Sequence, residues 1–365
     1  MKITDVKIYL VEGCWTFVRV FTDEGIVGVG DATNWPGEET VGAVIERLKP
    51  LVIGENPFDI ERLWQKMYRG LYHIGTSGLV VTAISGIDIA LWDIMGKALG
   101  TPTYNLLGGR CYEKVRLYTH PDHARDRSPA AVAEACVEIV EAGFTSLKTG
   151  IFNSGPLNGS IGPEDLRQGA EVVRAMREAV GEDVDIAIDA AGRYNVQTAI
   201  RIARRLEEYD LFFLEEPVPP ENVEGMARVA AAVQVPICTG ERLFTRHGFR
   251  EIIERGAAGI LMPDVVRTGG ITETRKIASL ADTYYIPVAP HNPNSPISTL
   301  ASAHLCATLP NFLVLEFRWK DNPWRDEILT EPLRIEDGHL ILPEGPGLGI
   351  DLNMKRLKKY IRHEW

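Results

Sequence analysis

Apolar and polar positions alternate, imperfectly, through Ile3, Val6, Ile8 and Leu10, which predicts a first strand. Phe17–Phe21 then faces Ile26–Gly30 across Thr22-Asp23-Glu24-Gly25, the pattern of an antiparallel hairpin. From about residue 38 to 107 the period lengthens to that of helices. Within Val80–Leu99, Ala83, Ile84, Ile87, Ala90, Leu91 and Ile94 recur at three- and four-residue steps, so this helix is expected to bury one face. Pro102 and Gly108-Gly109 close the region, giving an α+β unit over residues 1–112.

Beyond it the pattern becomes repetitive. β-rich runs are predicted at Val115–His120, Ser146–Ile151, Asp185–Asp189, Leu211–Glu215, Pro236–Glu241, Gly259–Val265, Pro287–His291 and Leu313–Phe317. Helical segments such as Ala130–Ala142, Glu164–Val180 and Val196–Glu208 separate most of them. Strands joined by helices pair in parallel, and eight such units in about 200 residues match a TIM-type barrel rather than an open sheet. No glycine fingerprint follows the first strand, which argues against a dinucleotide-binding sheet. The catalytic domain is expected over residues 113–320. A C-terminal segment, about 321–365, is expected to complete the N-terminal unit.

Composition narrows the partners. The 365 residues are 45% hydrophobic and 24% charged, with a net charge of −11. Nucleic acid and anionic membrane are therefore excluded as partners. The short basic run Lys355–Lys359 reads as a solvated helix face. No stretch approaches the ~20 uninterrupted apolar residues of a spanning helix. Five scattered cysteines without a CxxC pair fit neither a disulfide framework nor a zinc site. The opening Met1-Lys2-Ile3-Thr4-Asp5 is unlike a signal peptide, and a cytoplasmic location is expected.

The C-terminal ends of barrel strands face the active site, and here those ends are unusually polar. Asp189, Glu215 and Glu241 close strands three, four and five at equal spacings of 26 residues. Three adjacent carboxylates repel one another unless a cation neutralises them, and all-oxygen ligation suits a hard divalent ion such as Mg²⁺. Asp264 and His291 end neighbouring strands. A carboxylate on one ring nitrogen fixes the tautomer and raises basicity, leaving the other nitrogen to abstract a proton. Glu316 ends strand eight.

These residues carry a family resemblance. With Phe213-Leu214-Glu215-Glu216-Pro217-Val218, Thr239-Gly240-Glu241-Arg242, Gly269-Gly270-Ile271-Thr272-Glu273 and Val288-Ala289-Pro290-His291, the chain resembles the mandelate racemase-like branch of the enolase superfamily. Within that branch it is most similar to acid-sugar dehydratases of the galactonate dehydratase kind. The resemblance implies an α+β capping domain on a modified (β/α)7β barrel, with one Mg²⁺ per subunit on Asp189, Glu215 and Glu241. It also implies a His291–Asp264 catalytic dyad, Lys148 beside the carboxylate, and a protonated Glu316 donating to the enolate. The shared chemistry is removal of the proton α to a carboxylate. The expected outcome is loss of the β-hydroxyl from a small-molecule sugar acid (aldonate or aldarate), giving a 2-keto-3-deoxy acid. Epimerisation, racemisation or lactone cycloisomerisation through the same enediolate is the alternative, and a binding-only barrel is disfavoured because the whole constellation is retained. A homo-oligomer is expected.

Two positions depart from the family pattern. Racemase-type sites carry Lys-x-Lys on strand two, whereas this chain reads Lys148-Thr149-Gly150, which disfavours a two-base racemase. Galactonate dehydratases carry a histidine two residues after the first metal ligand, where this chain has Ala191. His291 is then expected to act as both base and acid in a syn elimination, with His120 or Tyr194 as alternative acids. Substrate contacts are expected from Trp15, His73, His120, Arg193, Asn292 and Trp319.

Overall fold

A computed structural model describes residues 1–121, 126–151 and 158–365. Three antiparallel strands open the chain: β1 (Ile3–Val11), β2 (Trp15–Thr22) and β3 (Val27–Asp31). Helices α1 (Glu38–Val52), α2 (Ile60–Gly70), α3 (Leu79–Leu99) and the short α4 (Thr103–Leu106) follow. Helix α3 buries nearly every side, not the single face its period suggested, because it is wedged between β3 and helices of the next unit. Gly30 permits this approach: a Cβ there would collide with the Gly86 carbonyl. By length and composition α3 could cross a membrane, yet 83% of its most apolar window is buried inside the protein.

The barrel runs through β4 (Lys114–Tyr118), β5 (Ser146–Thr149), β6 (Asp185–Asp189), β7 (Phe213–Glu215), β8 (Ile237–Thr239), β9 (Ile260–Leu261) and β10 (Leu315–Glu316). Connecting helices are α5 (Pro129–Glu141), α6 (Pro163–Val180), α7 (Val196–Leu206), α8 (Val223–Ala230), α9 (Thr245–Glu254), α10 (Val265–Thr268), α11 (Gly270–Thr283) and α12 (Pro296–Cys306). Strands β5 to β9 pair in parallel, β10 pairs in parallel with β4, and a bridge from Thr119 to Leu147 joins β4 to β5. The seventh predicted strand, Pro287–His291, is reduced to single bridges: Val288 to Leu261 and Phe312, and His291 to Asp264. Pro287 and Pro290 lack the N–H a continuous ladder needs. The barrel centre is filled by Tyr118, Ala187, Phe213, Cys238, Ile260, Met262, Ala289 and Val314.

The C-terminal segment divides between the two units. The hairpin β11 (Ile335–Glu336) and β12 (His339–Ile341) pairs with barrel strand β4, whereas α13 (Met354–Leu357) leads to β13 (Ile361–Glu364), which pairs with β1. The two units are hydrogen-bonded at one turn. Trp64 Nε1 donates to the Gly269 carbonyl (2.8 Å), the Gly269 amide to Ser85 Oγ (3.0 Å), the Thr272 amide to Asp88 Oδ2 (3.0 Å) and Trp92 Nε1 to Thr272 Oγ1 (2.9 Å).

Candidate active site

Parallel register sets the acids side by side. Asp189 pairs with Glu215 across β6 and β7, Glu215 pairs with Cys238 on β8, and Glu241 lies just past the end of β8. Lys148, on β5, is buried and donates to Glu215 Oε2 at 2.6 Å. Its ammonium lies 3.5 Å from Glu316 Oε1 and 5.2 Å from the centre of the Tyr118 ring. His291 Nδ1 is 2.7 Å from Asp264 Oδ2, and Nε2 is 2.8 Å from Glu241 Oε2. Glu316 is shared between two imidazoles: Oε1 lies 2.6 Å from His120 Nε2, and Oε2 lies 3.8 Å from His291 Nε2. A cavity of about 270 Å³ is lined by His120, Lys148, Asp189, Glu241, His291 and Glu316, with Arg193, Arg318 and Arg127 among its other walls.

Local structure aims these groups. Asp264 is the N-cap of α10, its Oδ1 accepting from the Val266 amide (2.8 Å), so the cap fixes the carboxylate that orients His291. Asp189 Oδ1 is held by the Ala191 amide at 2.7 Å. The next carboxylate after Glu215, Glu216, is fully buried and is held by Arg242 Nε at 2.7 Å. Gly192 makes room for that guanidinium, which a Cβ would strike.

Charges couple strongly inside this mouth. Burial pushes the Glu215 carboxyl up; Lys148 opposes, but Asp189 and Glu241 repel the charge further, and the pKa ends well above the usual range. Burial also favours neutral Glu241, yet the His291 and Lys148 charges outweigh it and bring it down to about 2. For His291, burial disfavours the imidazolium, but Glu316, Glu241 and Asp264 raise it well above the ordinary histidine value. At Glu316, expected from sequence to be a protonated donor, the neighbouring charges pull the other way. Burial would raise it, but Lys148, His291 and His120 hold it well below the carboxylate range.

The three acids expected to hold a metal are together, but not arranged as a finished cage. Among the described residues no group of three Asp, Glu, His or Cys side chains encloses a common point, because Glu215 is turned to Lys148 and Glu241 to His291. The donor set nonetheless suits a hard divalent cation: all ligands are oxygen, and Glu215 Oε1 is buried without a hydrogen-bond partner. A buried carboxylate oxygen left unpaired is costly, and a cation is the partner that would satisfy it.

The residues expected to contact substrate divide. His120 and Arg193 line the cavity. Trp15 does not: it lies within β2, buried edge-on against Trp324 with ring centres 4.8 Å apart. Trp319 packs on Phe144 (5.7 Å), and His73 is exposed on the turn after α2, against Tyr72. Asn292 reaches the site only as support. Its backbone N–H donates to Glu316 Oε2 (3.0 Å), while its side-chain amide is spent on Thr299 and the Glu316 carbonyl. Tyr194 is buried. Sequence reasoning missed Asn294, whose Nδ2 donates to Asp264 Oδ2 at 3.1 Å, and the wall residues Arg127 and Arg318. The only available signal for Asn294 was its place three residues after His291.

Two family models match the chain. Residues 11–108 match the mandelate racemase/muconate lactonizing enzyme N-terminal domain, and residues 131–356 match the enolase C-terminal domain-like family. The chain belongs to the mandelate racemase/muconate lactonizing enzyme branch of the enolase superfamily. This superfamily member is 41% identical to the D-xylonate dehydratase of Haloferax volcanii, over 99% of the chain and 89% of that protein. It is 36% identical to the arabinonate dehydratase of Saccharolobus solfataricus (94% and 89% covered) and 35% to the D-galactonate dehydratase of Pectobacterium atrosepticum (97% and 92%). Among solved structures, a member of the enolase superfamily from Salmonella Typhimurium superposes with a TM-score of 0.94 at 33% identity, covering 100% of this chain and 99% of that one. A mandelate racemase/muconate lactonizing enzyme-like protein from Rubrobacter xylanophilus gives 0.93 at 36%, covering 99% and 98%.

Proposed function

We propose that this superfamily member is a hydro-lyase, a Mg²⁺-dependent dehydratase that converts a sugar acid to a 2-keto-3-deoxy acid. The observation that carries the reading is the setting of His291. One ring nitrogen is bonded to a buried carboxylate, and the other faces a cavity shared with Lys148 and Glu316. Asp189, Glu215 and Glu241 would hold the cation, which supplies charge neutralisation at the substrate carboxylate. His291 Nε2 is engaged by Glu241 in the structure; with Glu241 serving as a ligand instead, that nitrogen takes the α-proton. Lys148 stabilises the negative charge that develops as the proton leaves, a contribution of the kind often worth several kcal/mol. Gly150, where a second lysine would stand, leaves one described base at the reacting carbon and favours elimination over racemisation.

The test is a panel of aldonates and aldarates incubated with enzyme and Mg²⁺, assayed for 2-keto acid. Keto acid from at least one member is expected. Isomerised substrate with no keto acid would replace this reading by the epimerase or cycloisomerase one.

A further inference from the structure

We propose that His120 is the acid that protonates the departing hydroxyl, working as a pair with Glu316. This rests on the dehydratase reading, and it replaces the single-histidine elimination with a two-histidine one. Three observations point to it. At the end of the third strand Ala191 has no proton to give. Among the described residues His120 is the second imidazole on the cavity wall, and 10% of its side chain remains accessible. Its Nε2 lies 2.6 Å from Oε1 of Glu316, whereas His291 stands off the other oxygen, Oε2. The two rings therefore flank one carboxylate, with the base on one side and a second proton carrier on the other. Lys148 is less suited to the task, because its ammonium is tied to Glu215. Burial lowers the His120 pKa while Glu316 pulls it the other way, so a proton shared across their 2.6 Å contact is readily given up.

The step balances as follows. His291 takes the proton from C2, and the electron pair left behind forms the C2–C3 double bond as the C3–O bond breaks. The departing oxygen takes the proton of the His120–Glu316 pair and leaves as water. When the resulting enol ketonises, C3 receives a proton from His291 and the enol hydroxyl proton returns to the pair. Both histidines are then in their starting states, and no oxidant or reductant is consumed.

The variant is His120→Gln, with His120→Asn in reserve should the first melt more than a few degrees below wild type. Three rates are compared in the holoenzyme with Mg²⁺. They are keto-acid formation from the best aldonate, exchange of its α-hydrogen with solvent deuterium, and fluoride release from its 3-deoxy-3-fluoro analogue. General acids typically contribute 10²–10⁴-fold, so keto-acid formation should fall about a hundredfold or more, with exchange within about fivefold of wild type. Fluoride needs far less help from an acid than hydroxide, so its release should survive. Keto-acid formation within about threefold of wild type would overturn the proposal, being far short of that contribution. So would loss of exchange together with dehydration, or a fall in fluoride release equal to that in water elimination. If wild-type enzyme makes no keto acid from any sugar acid, the dehydratase reading itself has failed, an outcome separate from these.

Discussion

Nε2 of His291 lies 2.8 Å from Oε2 of Glu241, so the nitrogen proposed to take the substrate proton is occupied by a carboxylate proposed to bind the cation. The base and the metal site are thus alternatives for one another's partner. Stripping divalent ions with a chelator should abolish turnover, and Mg²⁺ should restore it. Glu215→Gln should lower Mg²⁺ affinity, measured by calorimetry, together with activity, since it removes one negative oxygen donor of three. Full activity in metal-free protein would contradict the site as described.

The roles of His291 and Lys148 separate by isotope exchange. His291→Asn should lower both keto-acid formation and α-hydrogen exchange by about a thousandfold, within the range for loss of a general base. Lys148→Met should slow turnover about a hundredfold while leaving exchange measurable, because only stabilisation of the developing charge is lost. Near wild-type exchange in His291→Asn would move the base to Lys148.

Asn294 supports the dyad from behind, its amide donating to the same Asp264 oxygen that accepts from His291. Asn294→Leu should reduce kcat by about tenfold with KM little changed, the lower end of what outer-shell partners of a site contribute. Asn294→Ser, which keeps a donor, should recover part of the loss. A change confined to KM would show that Asn294 acts on substrate instead.

Away from the site, Asp88 gives stability a pH dependence of its own. Burial raises its carboxyl from 3.8 to about 7, with the Thr272 hydrogen bonds opposing. The folded state therefore binds this proton more tightly than the unfolded chain does. Its contribution is greatest below pH 4, declines as pH rises toward 7, and is constant above. Across that window it is worth a few kcal/mol at most, at 1.36 kcal/mol per pKa unit. In Asp88→Asn the melting temperature should change less between pH 4 and pH 7 than in wild type. Equal slopes in the two proteins would refute this assignment.

The barrel was legible because its signal repeats: the βα units from β6 to β8 are nearly the same length, so strand-end acids recur at 26 residues and adjacent strands carry them to one mouth. What the spacing left open was the direction of individual side chains. Trp15 reads as a loop aromatic, but β1 pairs with it as strand, and four consecutive β2 residues are buried, so no alternation distinguishes the two faces. Asn292 stands beside His291 in sequence, yet its amide is consumed by Thr299 and by Glu316, 24 positions away. Glu316 was read with a proton because a carboxyl facing an enolate should donate; the sequence holds no sign that Lys148, His291 and His120, from three other parts of the barrel, would pull its pKa down.

The turn at Gly269–Thr272 directly follows α10, the helix that Asp264 caps, and it carries four hydrogen bonds to α2 and α3. A barrel separated from its cap would leave the Gly269 and Thr272 amides without those acceptors, and would bare the apolar side of α3 to water. Neither half is therefore equipped to persist while the other melts. Heating should produce a single endotherm whose calorimetric and van't Hoff enthalpies agree, one core cluster itself joining residues of both units, such as Phe17 and Leu117. The cap is in this sense less a lid set upon a catalyst than part of the same cooperative solid. Substitutions at Trp64 or Trp92, far along the chain from His291, should then be felt as loss of the whole enzyme.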